Sequence, residues 1–478
     1  MTSLANTLSI TEAAGLLRSG DLTVKALWNA CMNEAQKRNT ELNAFLELFP
    51  VDEEALENAQ KRIDTQGESA PLLCGIPLAI KDNILIEGHI ASAASKILSN
   101  YTASYDATVI TKLKEAGALF LGRTNMDEFA MGSSTENSAY GPSRNPYDVT
   151  RVPGGSSGGS AVAVAGALAL AALGTDTGGS IRQPAGHCGL VGLKPTYGRV
   201  SRHGAIALGS SLDQIGPLTH TVADAKILYE ALRGIDPLDA TSITEDTYTY
   251  RKPGDKLTIG VPYSLLKKGV DEDVLSTFHA TLAQLKEQGH SIIDIELPTS
   301  SYALAVYYVI MPAEASTNLA RYDGIRYGDA KRGETLLEDY VQTRTEGFGP
   351  ETIRRILLGT FVLSSGYIDA YYRKAHAARE VLTNEYDRAF ETCDVIAFPT
   401  TPAPAFAFGE KTGNSVAMYL EDIFTVTANL TGMPAISVPM GKLERGEVPL
   451  PIGIHFTAPK GAEQTLFTVG ALVTREKN

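Results

Sequence analysis

Gly154-Gly155-Ser156-Ser157-Gly158-Gly159-Ser160 opens a stretch that runs through Ala161–Leu168 and Leu170–Leu173 into Gly174-Thr175-Asp176-Thr177-Gly178-Gly179-Ser180. The small-residue run predicts a helix and the apolar quartet a short strand, so two Gly/Ser-rich loops flank one helix–strand unit. The alternation continues on both sides. Upstream, the apolar run Gly75-Ile76-Pro77-Leu78-Ala79-Ile80 ends at Lys81-Asp82-Asn83, and a helical stretch from Ala107 to Ala116 precedes Ala118–Gly122. Downstream, helices over Ala223–Leu232, Val274–Gln288 and Tyr367–Phe390 alternate with strand-like runs at Leu257–Val261, Ser291–Ile295, Val395–Phe398 and Ala435–Val438. Apolar runs interleaved with helices predict an α/β fold with a largely buried sheet.

Residues 1–66 are expected to form a helical N-terminal arm packed on the core. Ala13, Leu16, Leu17, Val24, Leu27, Trp28, Cys31, Ala55, Ala59 and Ile63 recur at helical spacing, and Ser9 and Thr11 are candidate caps. Residues 67–478 form the main domain. Within it, 299–392 reads as a helical excursion covering the active-site cleft.

Composition bounds the function. With 478 residues, 44% hydrophobic and 20% charged, the chain can bury a large core. A formal net charge of −13 opposes direct docking on a phosphate backbone, where affinity comes from Lys and Arg. Cys31, Cys74, Cys188 and Cys393 lie far apart, with no CxxC pair, which predicts reduced thiols rather than a zinc site or disulfides. The opening MTSLANTLSITEAAGLL lacks the basic start and apolar run of a signal peptide, and no stretch is apolar for the length of a membrane span, so a cytoplasmic location is expected.

Three features carry chemistry: Lys81 at a strand end, the Gly154–Ser160 loop, and Ser180 behind two glycines. Each has a plain structural reading. A strand-end lysine snorkels to water, and a Gly/Ser loop before a helix is a turn with a cap. As a phosphate cradle, the loop lacks the Gly-Lys-Ser/Thr ending. Gly154-Gly155-Ser156-Ser157-Gly158 fits the GxSxG elbow of α/β hydrolases, but an elbow needs a buried strand before its serine, and Pro146 and Pro153 interrupt a polar approach. No histidine has an evident acid partner. His187 and Cys188 are adjacent in sequence and read as structural. A lysine with serines remains: a desolvated amine that loses its proton near neutral pH can do the work of histidine in a triad.

GGSSGGSA followed by GTDTGGSIRQPA, with an upstream strand ending Ile-Lys-Asp, resembles the amidase signature family. The resemblance implies that family's fold, a large mixed β-sheet sandwiched between helices. It also implies a catalytic triad of Lys81 as base, Ser156 as bridging serine beside a cis peptide, and Ser180 as nucleophile, with Ser157 in support. The N–H groups of Thr177, Gly178, Gly179 and Ser180 would then form the oxyanion hole.

NMDEFAMGSSTENSAYGPSRNPYD and EASTNLARYDGIRYG, with Arg123, narrow the resemblance to the A subunits of glutamyl-tRNA(Gln)/aspartyl-tRNA(Asn) amidotransferases. These imply hydrolysis of glutamine to glutamate and ammonia, B and C partner subunits, and mischarged tRNA handled by the B subunit. They imply no cofactor in this chain, with ATP and Mg used by the partner. The glutamine pocket would be Tyr308, Arg355 and Asp422, with Tyr307 and Arg354 as the alternatives to the first two. Alternative functions are a free-standing amidase acting on another small amide, a catalytically idle scaffold and, less favoured, an esterase.

Overall fold

The structure, a computed structural model, describes residues 2–267, 269–446 and 448–476. Among the described residues, eleven strands form one mixed sheet flanked by helices. The strands are β1 (Phe45–Leu48), β2 (Pro77–Lys81), β3 (Leu119–Thr124), β4 (Ala171–Asp176), β5 (Val191–Lys194), β6 (Gln214–Thr219), β7 (Thr258–Val261), β8 (Ser291–Asp294), β9 (Val395–Pro399), β10 (Ala435–Arg445) and β11 (Val448–Thr457). Their order is β1-β3-β2-β4-β6-β5-β10-β11-β9-β7-β8.

The arrangement around β2 places the site. β2 pairs in parallel with β3 on one side and β4 on the other, opposing Lys81 to Thr124 and Ile80 to Leu173. All five residues of β2 are buried, as a strand covered on both faces requires. Three parallel strands therefore end at one edge, where the chain leaves as Lys81, as Asn125–Glu128 and as the Gly-rich loop after Asp176. Carboxyl ends of neighbouring parallel strands are where open α/β sheets place their ligands.

The arm is not wholly helical. α1 (Ile10–Ser19) starts at Ser9, whose side chain and that of Glu12 form a reciprocal capping box, while Thr11 lies inside the helix. α2 (Val24–Leu42) and α3 (Glu53–Gln66) follow, but β1 lies between them and pairs antiparallel with β3. Four residues are too few for an alternation to show against the helical background. Arg123 of β3 pairs with Glu47 of β1 and with Asp82 beyond β2, each at 2.8 Å, so its charge is structural.

Further along come α4 (Thr108–Glu115), α5 (Gly158–Ala165), α6 (Arg182–Cys188), α7 (Val222–Leu232) and α8 (Glu272–Glu287). α5 begins inside the Gly/Ser stretch rather than at Ala161. Residues 299–392 hold α9 (Ala303–Asn318), α10 (Leu336–Gly347), α11 (Pro350–Leu363) and α12 (Lys374–Ala389). The helix expected from Tyr367 begins instead as a π turn over Asp369–Arg373. α13 (Ser415–Tyr419), α14 (Val426–Thr431) and α15 (Glu463–Thr474) complete the chain. Among the described residues, no helix is long and apolar enough to cross a membrane, and no cluster of His, Cys, Asp and Glu is arranged to hold a metal ion.

Candidate active site

Lys81 is fully buried at the end of β2. Its Nζ lies 2.8 Å from Ser156 Oγ, 2.8 Å from Ser157 Oγ and 2.9 Å from Thr175 Oγ1, with the Thr175 carbonyl at 3.3 Å. Burial pulls its pKa down to about 7, against the upward pull of Asp127, Asp176 and Asp213. A neutral amine at physiological pH can take a proton from a hydroxyl it already touches. The bland reading of Lys81, a side chain reaching water, is excluded by its burial.

The Gly155–Ser156 peptide is cis, as the resemblance implies. Gln183 on α6 accepts from the Gly155 N–H at 2.9 Å, and the Ser157 N–H donates to the Ser180 carbonyl at 3.1 Å, tying the two Gly/Ser loops together. Ser157 is as close to Lys81 as Ser156 is, and its hydroxyl also donates to the Thr175 carbonyl at 3.1 Å. Among the described residues, no hydrogen bond joins Ser156 to Ser180.

Gly178 and Gly179 are required by close approach as well as by conformation. A Cβ on Gly178 would strike the Tyr307 ring. One on Gly179, whose φ is +148°, would strike Thr425 and come within 3.1 Å of Asp422 Oδ1. Among the described residues, no acceptor engages the N–H of Gly178, Gly179 or Ser180, so these donors are available to a ligand. The loop's base is rigid. Asp176 holds Arg182 at 2.9 Å and Asn429 at 2.9 Å, and although burial pushes its carboxyl up, the charge and hydrogen bond of Arg182, the Lys194 charge and the Asn429 hydrogen bond together hold it well below the usual range. The Thr177 hydroxyl donates to Asp213 at 2.6 Å.

The expected glutamine residues come from three distant segments and meet beside this loop. Asp422 is buried, accepts from the Ser133 hydroxyl at 2.6 Å, and is pushed up to about 8 by burial. Arg355 is buried on α11, with its Nε donating to Glu351 at 2.7 Å and its guanidinium 5.4 Å from the Tyr308 ring centre. Tyr308 stacks on Tyr419 at 3.8 Å. Of the alternatives, Arg354 faces solvent with its charge on Glu351, whereas Tyr307 is buried against Gly178. No ion pair joins Asp422 to Arg355 among the described residues: the guanidinium is paired with Glu351 at 2.7 Å, and burial favours the neutral form of the Asp422 carboxyl.

His187 and Cys188 are structural. Both are fully buried on α6, where burial pulls His187 down to about 3 and pushes the Cys188 thiol up. The sequence reading missed Thr175, Asn83, Asp127, Ser133 and Thr425. Asn83 and Thr175 lay inside quoted motifs, and Asn83 Nδ2 donates to Thr175 Oγ1 at 3.0 Å. Asp127 carried the signal of an acidic residue just past a buried strand, and its carboxylate accepts from the Thr135 and Asn137 N–H groups behind Gly155.

A near-neutral buried lysine on two serines, at the carboxyl ends of parallel strands and beside free backbone donors, is an amide-hydrolysing arrangement. The chain belongs to the amidase family, whose model, described as Amidase, matches residues 26–467. Among curated relatives, it is 49% identical to the glutamyl-tRNA(Gln) amidotransferase A subunit of Desulfatibacillum aliphaticivorans, over 97% of this chain and 96% of that one. Its structure matches the crystal structure of the same-named protein from Thermotoga maritima with TM-score 0.78 at 38% identity, covering 99% and 95% of the two chains. A peptide amidase from Stenotrophomonas maltophilia matches with TM-score 0.79 at 27% identity, covering 98% and 96%. The backbone fold alone thus does not separate substrates, whereas sequence identity does.

Proposed function

We propose that this chain is the glutamine-hydrolysing subunit of a tRNA-dependent amidotransferase. Ser180 attacks the side-chain carboxamide carbon of glutamine while its proton passes through Ser156 to neutral Lys81. The N–H groups of Thr177, Gly178, Gly179 and Ser180 hold the oxyanion. The proton returns through Ser156 to the leaving nitrogen, the C–N bond breaks, and ammonia departs to leave an ester on Ser180. Water gives a proton to the same relay as it attacks the ester, and the relay returns that proton to the Ser180 oxygen as its bond to the acyl carbon breaks and glutamate leaves.

Asp422 and Arg355 hold the α-ammonium and α-carboxylate, and Tyr308 packs beneath them. Arg355 and Asp422, buried beside the Ser180 loop and not paired with each other, are the observation that supports glutamine as the substrate, with the bound ammonium drawing Asp422 into its ionised form. Ammonia passes to a B subunit that uses ATP and Mg to amidate mischarged Glu-tRNA(Gln), Asp-tRNA(Asn) or both, with a small C subunit tying the two together. The charge of −13 supports a chain that leaves tRNA to its partner, and four buried free thiols suit a cytoplasmic setting.

Glutamate and ammonia release from glutamine by the full-length chain, alone and with the partner subunits, tests this. Release that Ser180→Ala lowers by roughly 10⁴-fold or more, and that rises with the partners, is expected. Hydrolysis of other amides with no turnover of glutamine would make the chain a free-standing amidase instead.

A further inference from the structure

Glu128 stands at the junction between the relay and the glutamine pocket, and the chemistry above does not use it. Its carboxylate is buried and takes three hydrogen bonds: from the Ser95 hydroxyl, from the Gly349 N–H at 2.8 Å and from the Thr352 hydroxyl at 2.6 Å. Gly349 is the N-cap of α11 and supplies no side-chain cap of its own. A Cβ there would strike Glu128, so the glycine admits a carboxylate from another part of the chain. Glu128 thereby caps α11 across the fold, where a carboxylate on free N–H groups is stabilised by the helix dipole. Thr352 lies one turn before Arg355, on the helix that carries Glu351 and the guanidinium.

The other side of the junction is the relay. Asp127, the preceding residue, donates its N–H to the Ser156 carbonyl at 3.3 Å and carries the carboxylate that backs Gly155. The chain then turns sharply through two left-handed non-glycine residues, Phe129 (φ +47°) and Ala130 (φ +62°). Phe129 packs on Tyr322 at 5.2 Å and on Phe348 at 5.6 Å, both in the helical region, so the strained turn is held by the helices it supports.

We propose that Glu128 is a positioning residue for substrate: by capping α11 it sets where Arg355 meets the α-carboxylate, and through Asp127 it fixes that place relative to Ser156 and Ser180. This rests on the glutamine reading of the pocket. The test is steady-state hydrolysis of glutamine and of butyramide, which lacks both α groups, by the full-length wild type, Glu128→Ala, Glu128→Gln, Arg355→Ala and the Glu128→Ala/Arg355→Ala double variant.

Removing the cap and leaving its donors unpaired is expected to raise the glutamine KM about tenfold in Glu128→Ala, with kcat and butyramide turnover changed less than about threefold. Glu128→Gln keeps an acceptor for Gly349 and Thr352 and offers its amide to the Ser95 oxygen, so it restores KM to within about threefold of wild type. The double variant is no worse than Arg355→Ala alone, because both act through one contact. Three results would each overturn the inference alone: an unchanged glutamine KM in Glu128→Ala, an equal fall on glutamine and butyramide, or additive effects in the double variant. A wild type that hydrolyses butyramide and shows no saturation with glutamine overturns the glutamine reading itself, and the inference with it.

Discussion

The relay and the pocket are built differently although they share a loop. Lys81, Ser156, Ser157 and Thr175 lie on segments that leave adjoining parallel strands or pack directly upon them, and every contact among them is short and buried. Tyr308, Arg355 and Asp422 come from α9, α11 and the turn after α13. The sheet holds the relay and the helices laid over it hold the pocket, so binding can change while chemistry stays. The same fold in a peptide amidase is consistent with that division.

The sharpest way to break the comparison is to remove the base. Lys81→Met should lower kcat for glutamine and butyramide alike by roughly 1,000-fold or more, the loss expected when a triad member is deleted. The wild-type pH profile gives the same information without mutation. Because burial lowers Lys81 to about 7, the active neutral amine is lost as pH falls through that value. Below it, kcat should drop about tenfold per pH unit, and above it kcat should level off. A kcat still rising at pH 9 would place the base elsewhere.

Pocket variants should do the reverse. Arg355→Ala should raise the glutamine KM about 100-fold, the range for breaking a buried charged contact, and leave butyramide turnover near wild type. Asp422 adds a pH signature. Its carboxyl is raised to about 8 by burial, and only the ionised form pairs with an α-ammonium. The glutamine KM should therefore rise by up to about tenfold for each unit below pH 8, and Asp422→Asn should abolish that slope. Equal damage to butyramide from either variant would mean that pocket and relay cannot be separated.

How much was legible in the sequence follows the same line. Lys81, Ser156 and Ser180 stood out because one ends an apolar strand and the others lie in glycine-dense loops, but their roles as a relay came only from the resemblance to the amidase signature family. The alternation that gave an α/β sheet was visible in β2, β3, β7 and β9. It was not visible in β6 and β11, where Pro217, Pro449 and Pro451 interrupt the strand pattern, nor in β1, which is too short. For the pocket, choosing Arg355 over Arg354 needs the face of α11 that is buried, and periodicity in an apolar-poor first turn does not give it. Thr175 and Asn83 escaped notice because a neutral side chain that orients a lysine leaves no charge or spacing signal.

Thr175 supplies the smallest and most discriminating effect. Its hydroxyl is one of three that touch Lys81 Nζ, and it also receives the Asn83 amide. Thr175→Val keeps the shape and removes that oxygen, deleting the hydrogen bonds it accepts from Lys81 and Asn83; the lost lysine contact, worth about 1 kcal/mol, corresponds to about fivefold in rate. The loss should fall on kcat and leave the glutamine KM unchanged, since no pocket residue touches Thr175. Its sign on the pH profile is fixed as well. An acceptor stabilises the ammonium form, so removing it lowers the Lys81 pKa and moves the kcat midpoint below 7 while the plateau falls. A midpoint that moves up, or a KM that moves at all, would show that the sheet edge and the helices over it act as one unit.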